Sequence, residues 1–157
     1  MNTLDILRKL SSSNPYAYAS IRGGTVAGSL LAYDYQDGTI IIVEAEGLPV
    51  TDCEQGIHGL HIHEGSSCET VDGVPFGGAG EHYSLTSCPH PYHTGDLPPL
   101  FSTKGIAWMA VYTDKFKPEQ IIGRTIIIHR DPDDFTTQPV GHSGARIACG
   151  EIIELYR

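Results

Sequence analysis

The chain has no apolar run long enough to cross a bilayer as a helix; the longest, around Ile40 to Val43, stops after a few residues. Cations are scarce too, with 10 Lys and Arg against 19 Asp and Glu and a formal net charge of −9. So acidic a chain is repelled by nucleic acid and by anionic membrane surfaces, and neither is expected as a partner. Internal repeats and low-complexity linkers are missing. The four cysteines, Cys53, Cys68, Cys88 and Cys149, include no close C-x-x-C pair, which excludes a zinc ribbon. One or two disulfides, or free thiols, remain as alternatives. The opening segment from Met1 to Leu10 sets Leu4, Leu7 and Leu10 at helical spacing, but Asp5, Arg8 and Lys9 interrupt it and deny it the apolar stretch of a secretion signal. Residues 1–16 therefore read as an N-terminal arm or short helical turn. A cytoplasmic location is expected, with extracellular or other compartments left open, and reduced thiols are the ordinary state there.

What the chain does have is glycine and proline, 18 and 10 of 157 residues, spread along its length as tight turns between short elements require. One domain of ordinary size is expected over 17–157. Strands are predicted from Ala17 to Ile21, Val26 to Gln36 and Thr39 to Leu48, with Asp37-Gly38 as a hairpin turn. Further strands run over Gly56 to Glu64, Gly105 to Tyr112, Thr125 to Arg130 and Arg146 to Leu155. The single Trp108 shares a face with Ile106 and Ala110 and reads as core or rim packing. About eight strands make the fold all-β, an antiparallel barrel or sandwich with two long functional loops. The longer loop, from Gly65 to Leu100, has no clear periodicity, and loops of that length are commonly tied down by a ligand.

Histidine supplies the tie. Eight are present, and the run His58-Gly-Leu-His-Ile-His63 sets His61 and His63 on one face of a strand, about 7 Å apart, close enough to grip one ion. His58 has the opposite parity and reads as a structural hydrogen-bonded tie. With His129 at the end of another strand, His61 and His63 form an all-imidazole set that suits copper or zinc. His90, His93 and Asp96 stand three apart in a Pro-containing loop, a familiar partial set for tetrahedral zinc that needs one more ligand. His82 is the candidate between the two groups, since an imidazolate offers a nitrogen to each of two metals. His142 reads as a solvated loop histidine.

These residues carry a specific resemblance. His58-Gly-Leu-His-Ile-His63, Gly80 to Tyr83, His93-Thr-Gly-Asp-Leu97, Gly123-Arg-Thr-Ile-Ile-Ile-His129 and Gly144-Ala-Arg-Ile-Ala-Cys-Gly150 resemble, in order, the signatures of the copper/zinc superoxide dismutase family, over roughly Ala17 to Ile153. The resemblance implies an eight-stranded Greek-key barrel with one copper ion and one zinc ion per chain. Copper would take His61, His63, His82 and His129; zinc would take His82, His90, His93 and Asp96. Asp133 matches the carboxylate that joins His61 to His90, and Cys68 with Cys149 matches the family's disulfide; Cys53 and Cys88 lie outside the pattern, as free thiols or a second bridge. The implied activity is disproportionation of superoxide to dioxygen and hydrogen peroxide. His82 and Arg146 would be its catalytic residues, one giving a proton and the other attracting the anion. The alternatives are a non-catalytic copper-binding or copper-transfer module on the same fold and a zinc hydrolase.

Some features depart from the family's usual pattern. The run from His63 to Cys68 and the segment Gly95-Asp-Leu-Pro-Pro-Leu100 resemble the bacterial branch, whereas the strand before His129 resembles the eukaryotic one. A homodimer is expected, with its interface type open. Only two residues separate His90 from His93, and Glu151 stands where an apolar residue is usual. Ile147 occupies a position that is proline in some chaperone-dependent members, so loading without a dedicated copper chaperone is expected.

Overall fold

The computed structural model describes residues 2–155; Met1, Tyr156 and Arg157, at the ends of the expected arm and domain, lie outside the described residues. One helix, α1 (Thr3–Ser12), precedes the strands β1 (Ala17–Gly23), β2 (Val26–Tyr35), β3 (Gly38–Glu46), β4 (Gln55–His58), β5 (Leu60–His63), β6 (Leu100–Thr103), β7 (Ile106–Thr113), β8 (Thr125–His129), β9 (Arg146–Glu151) and β10 (Ile153–Glu154). All pair antiparallel, in the order β4-β6-β7-β3-β2-β1-β9-β8-β5, with β10 beside β1. Two of the ten are continuations. β4 and β5 stand at opposite ends of this order yet are separated in sequence by Gly59 alone, so the histidine strand leaves one edge for the other and closes the barrel. β9 and β10 are likewise one strand interrupted at Ile152, which leaves the eight strands expected.

Alternation fills the interior. Ala17, Ala19 and Ile21 of β1, Ile41, Val43 and Ala45 of β3, Leu60 and Ile62 of β5, and Ile126 and Ile128 of β8 meet in one core. Each fully buried Leu or Ile contributes about 1.5–3 kcal/mol over an exposed one. β5 is buried on both faces, Leu60 and Ile62 toward the core and His61 and His63 beneath the loops that cover the barrel wall.

Three local readings are corrected. The β2–β3 hairpin turns at Gln36-Asp37, because Tyr35 and Gly38 are the last paired residues; Gly38 serves close packing instead, since a Cβ there would meet Thr113 O at 2.2 Å. Trp108 faces outward and is 64% exposed, while Ala107 of the same strand is in the core. The N-terminal segment forms a ten-residue helix capped by the Asn2 side chain, whose Oδ1 accepts the Asp5 N–H at 3.0 Å. Its Ile6 and Leu10 pack on Tyr33, Tyr35 and Ile40 of the outer sheet face, and Leu4 and Leu7 stay exposed.

Cys68 and Cys149 form a disulfide across a sequence separation of 81, tying the loop after β5 to β9; Cys53 and Cys88 are free and exposed. Around the bridge, Cys68 and Phe76 pack with Ala79, Ile127 and Cys149 outside the barrel core.

Candidate metal centre

The long loop after β5 does not wander. It runs back along the free edge of that strand, with His63 bridged to His82 and His61 to Asp96. Tyr83 N donates to Ile62 O and Ile62 N to Gly95 O, each at 2.9 Å. Main-chain pairing therefore sets His82 and Asp96 against the histidine face. Arg124 reinforces it by stacking 3.7 Å over the Tyr83 ring and donating to Glu64 O at 3.1 Å.

Two clusters result. His61, His63, His82 and His129 converge, as do His82, His90, His93 and Asp96, with the candidate ligand atoms of each group within 4.8 Å of one another. His82 belongs to both. His58, although part of the same run, is not in either: its Nδ1 lies 2.9 Å from Arg130 O and its Nε2 3.1 Å from Pro49 O. His142 is exposed on the loop between β8 and β9.

One nitrogen of most rings is fixed by an acceptor. His63 Nδ1 donates to Gly80 O at 2.9 Å and His129 Nδ1 to Gly144 O at 3.3 Å. His61 Nε2 and His90 Nε2 donate to the two oxygens of Asp133 at 2.7 and 2.8 Å, so one carboxylate joins the clusters. That approach needs Gly141, which has φ +71° and where a Cβ would lie 2.1 Å from Asp133 Oδ1. The opposite nitrogens, His61 Nδ1, His63 Nε2, His129 Nε2 and His90 Nδ1, are buried without a hydrogen-bond partner, as are His82 Nε2 and His93 Nδ1. Burying a polar atom unpaired costs about 1–3 kcal/mol, so six of them converging in two groups is an arrangement for metal ions.

The charges agree. Burial, above all, holds His63 down to about 2 and His129 to about 3, and lowers His61, so these rings stay neutral and their lone pairs free. Burial alone would raise the Asp96 carboxyl, but its hydrogen bond to His82 and the surrounding imidazoles keep it well below the usual carboxylate range. Four ligands about 2.0–2.1 Å from one zinc ion stand about 3.3 Å apart. Asp96 oxygens lie 2.8 Å from His82 Nδ1 and 3.1 Å from both His90 Nδ1 and His93 Nδ1. The last two contacts are close without being aligned as hydrogen bonds, as corners of one polyhedron are. The rings of His82, His90 and His93 are nearly equidistant, with centroids 5.6–5.8 Å apart.

Arg146 sits across from His129 where the β8–β9 register shifts, a bulge that re-aims side chains beside a site. Its guanidinium donates to Phe76 O at 2.8 Å and Gly80 O at 2.7 Å. Gly80 O also receives His63 Nδ1, which links the arginine to the first cluster. Sequence reasoning missed Gln138, whose side-chain amide pairs with both backbone groups of His90, at 3.1 Å to N and 2.7 Å to O. It also gave no role to Arg124, or to Lys115, whose Nζ donates to His93 O at 3.0 Å and Asp96 O at 3.3 Å. Nothing in local periodicity marks a side chain that reaches a distant carbonyl.

The family model described as copper/zinc superoxide dismutase matches residues 26–152. The chain is similar to the Cu-Zn superoxide dismutase of Deinococcus radiodurans, 35% identical over 81% of this chain and 77% of the relative. It is 32% identical to that of Caulobacter vibrioides, over 82% and 79%. Among solved structures, the Cu/Zn superoxide dismutase from Brucella abortus superposes with a TM-score of 0.73 at 29% identity, covering 86% of this chain and 98% of that one.

Proposed function

This chain belongs to the copper/zinc superoxide dismutase family, and from that premise we propose how its own residues perform the family's reaction. The protein is a superoxide dismutase, an oxidoreductase of antioxidant defence: two superoxide ions and two protons give dioxygen and hydrogen peroxide. We assign copper to His61, His63, His82 and His129 and zinc to His82, His90, His93 and Asp96, one of each per chain. The observation that carries this reading is the set of six buried, unpartnered imidazole nitrogens in two groups that share His82.

When bound, copper supplies the alternating one-electron oxidation and reduction of superoxide, and zinc a fixed positive charge. The protein does the rest. His61, His63 and His129 offer neutral nitrogens whose directions are set by Asp133, Gly80 O and Gly144 O. His82 Nε2, on the copper side, is the atom placed to take up a proton and give it to the reduced substrate, a general-acid step, while Nδ1 remains on the Asp96 side. Arg146, with two of its five N–H groups held by loop carbonyls, keeps others for an anion. A fixed guanidinium there answers the net charge of −9, because the local field decides the last approach of a small anion.

The test is superoxide disproportionation by protein loaded with one copper and one zinc per chain, beside His129→Ala. Fast turnover that falls by roughly three orders of magnitude in the variant is expected, loss of the redox centre removing most of the acceleration. Equal rates in the two proteins would refute the assignment of His129.

We also propose a homodimer. It is supported by the outward apolar residues Phe101, Ile106 and Trp108 on β6 and β7, with Ile57 paired to Phe101, a denser group than scattered surface residues provide. Sedimentation as a monomer at micromolar concentration would remove it.

A further inference from the structure

Each ligand assigned to zinc is held by its main chain as well as by its side chain. His82 is bridged through its main chain to His63, and His90 is paired with the Gln138 amide. His93 and Asp96 are the first and last residues of one tight turn, in which Asp96 N donates to His93 O at 3.3 Å and His93 N donates to Asp96 Oδ2 at 3.0 Å. This turn carries half of the zinc set. It also carries its most accessible ligand: the His93 side chain is 16% exposed where that of His90 is 0%. Water and competing chelators reach the set there first.

We propose that Lys115 is a positioning residue for zinc, its ammonium clamping the two ends of the turn that presents His93 and Asp96. Nζ donates to His93 O at 3.0 Å and to Asp96 O at 3.3 Å, so one cation spans both carbonyls of the turn from a segment 19 to 22 positions away in sequence. Hydrogen bonds from an ionised donor are roughly twice as strong as neutral ones. The base of the lysine is rigid. Lys115 N donates to Thr113 Oγ1 at 3.2 Å at the end of β7, and the next residue, Phe116, is buried in the core with its carbonyl accepting from Thr39 Oγ1 of β3 at 2.8 Å. The clamp thus refers the exposed corner of the zinc set to the barrel wall. No such link exists from Lys115 to His61, His63 or His129, whose positions come from strands, so the action is confined to one metal.

This inference rests on the assignment of zinc to His82, His90, His93 and Asp96, and the experiment separates the two. Fully loaded wild type, Lys115→Met, Lys115→Arg and His93→Ala are equilibrated with graded concentrations of a chelator, and zinc and copper retained per chain are measured by elemental analysis. Lys115→Met is expected to weaken zinc retention about 10-fold or more, as loss of a ligand-orienting contact does, with copper retention changed by less than about threefold and Lys115→Arg recovering most of the loss. Unchanged zinc retention in Lys115→Met, while His93→Ala loses zinc, overturns the clamp and leaves the assignment standing. Equal weakening of both metals in Lys115→Met overturns it as well, because general loosening would then be the cause. Undiminished zinc retention in His93→Ala overturns the assignment itself.

Discussion

The half of this centre assigned to copper and the half assigned to zinc are built by opposite means. His61, His63 and His129 are strand residues. Alternation on β5 and the end of β8 puts them on the outer barrel wall, and the β5–β8 ladder, Leu60 to Ile128 through His63 to Thr125, fixes their spacing. His90 and His93 are loop residues with no strand pairing, Asp96 has one isolated bridge to His61, and side chains from elsewhere fasten them: Gln138 at His90, Asp133 at the His90 ring, Lys115 at the turn. A strand set comes with the fold, whereas a loop set is as ordered as its tethers. Removing tethers should therefore damage the zinc half and the loops while sparing the strand-borne ligands.

The largest effect is expected at the disulfide. Closing a loop of about 80 residues stabilises a chain by about 4 kcal/mol in the chain-entropy account. Cys68→Ser should lower unfolding stability by about that amount. Hydrogen exchange should rise first between residues 64 and 80, before β5 and β8. Exchange rising uniformly through barrel and loop would break the distinction between the halves. Asp133→Ala gives the sharper test, because this carboxylate holds one ring of each half. His61 keeps its ladder, but His90 is left with Gln138. Zinc affinity should fall about 10–100-fold, as for other partners of metal-bound histidines, and copper affinity by less than about 10-fold. Equal losses would mean that strand placement confers no independence.

The same division explains what could be read from the residues alone. Period-2 alternation puts His61 beside His63, because that follows from backbone geometry within one strand. Parity tells which residues share a face but not which face is inside, so it groups Ile106 with Trp108 and leaves Trp108 between core and rim, where the fold exposes it. The break at Gly59 left no mark either, since a change of partner from β6 to β8 depends on the whole barrel. The loop candidates are legible only through spacing and family resemblance. Of the tethers, only Asp133 comes with that resemblance; Lys115, Gln138 and Arg124 stay hidden because they act on carbonyl groups, which every residue has and no sequence distinguishes.

Arg146 is where the two regions meet, and its removal should have the smallest effect of the three. Its backbone belongs to β9, in register with His129, which is assigned to copper, but its guanidinium is held by Phe76 O and Gly80 O of the disulfide-linked loop. Its hydrogen bonds go to loop carbonyls and not to an assigned ligand atom, so Arg146→Ile should retain both metals. What it loses is a fixed positive charge near His63 and His129, whose pKa values it helps to lower. At about 0.01 M ionic strength, where charge acts over about 30 Å, kcat/KM for superoxide should fall about 10-fold, and the remaining rate should depend less steeply on salt. Unchanged turnover at low ionic strength would deny the guanidinium any part in attracting the anion. A loss of copper along with activity would show instead that Gly80 O, shared between Arg146 and His63, holds the strand-borne set in place, and the independence of that set would then fail at the residue that joins it to the loop.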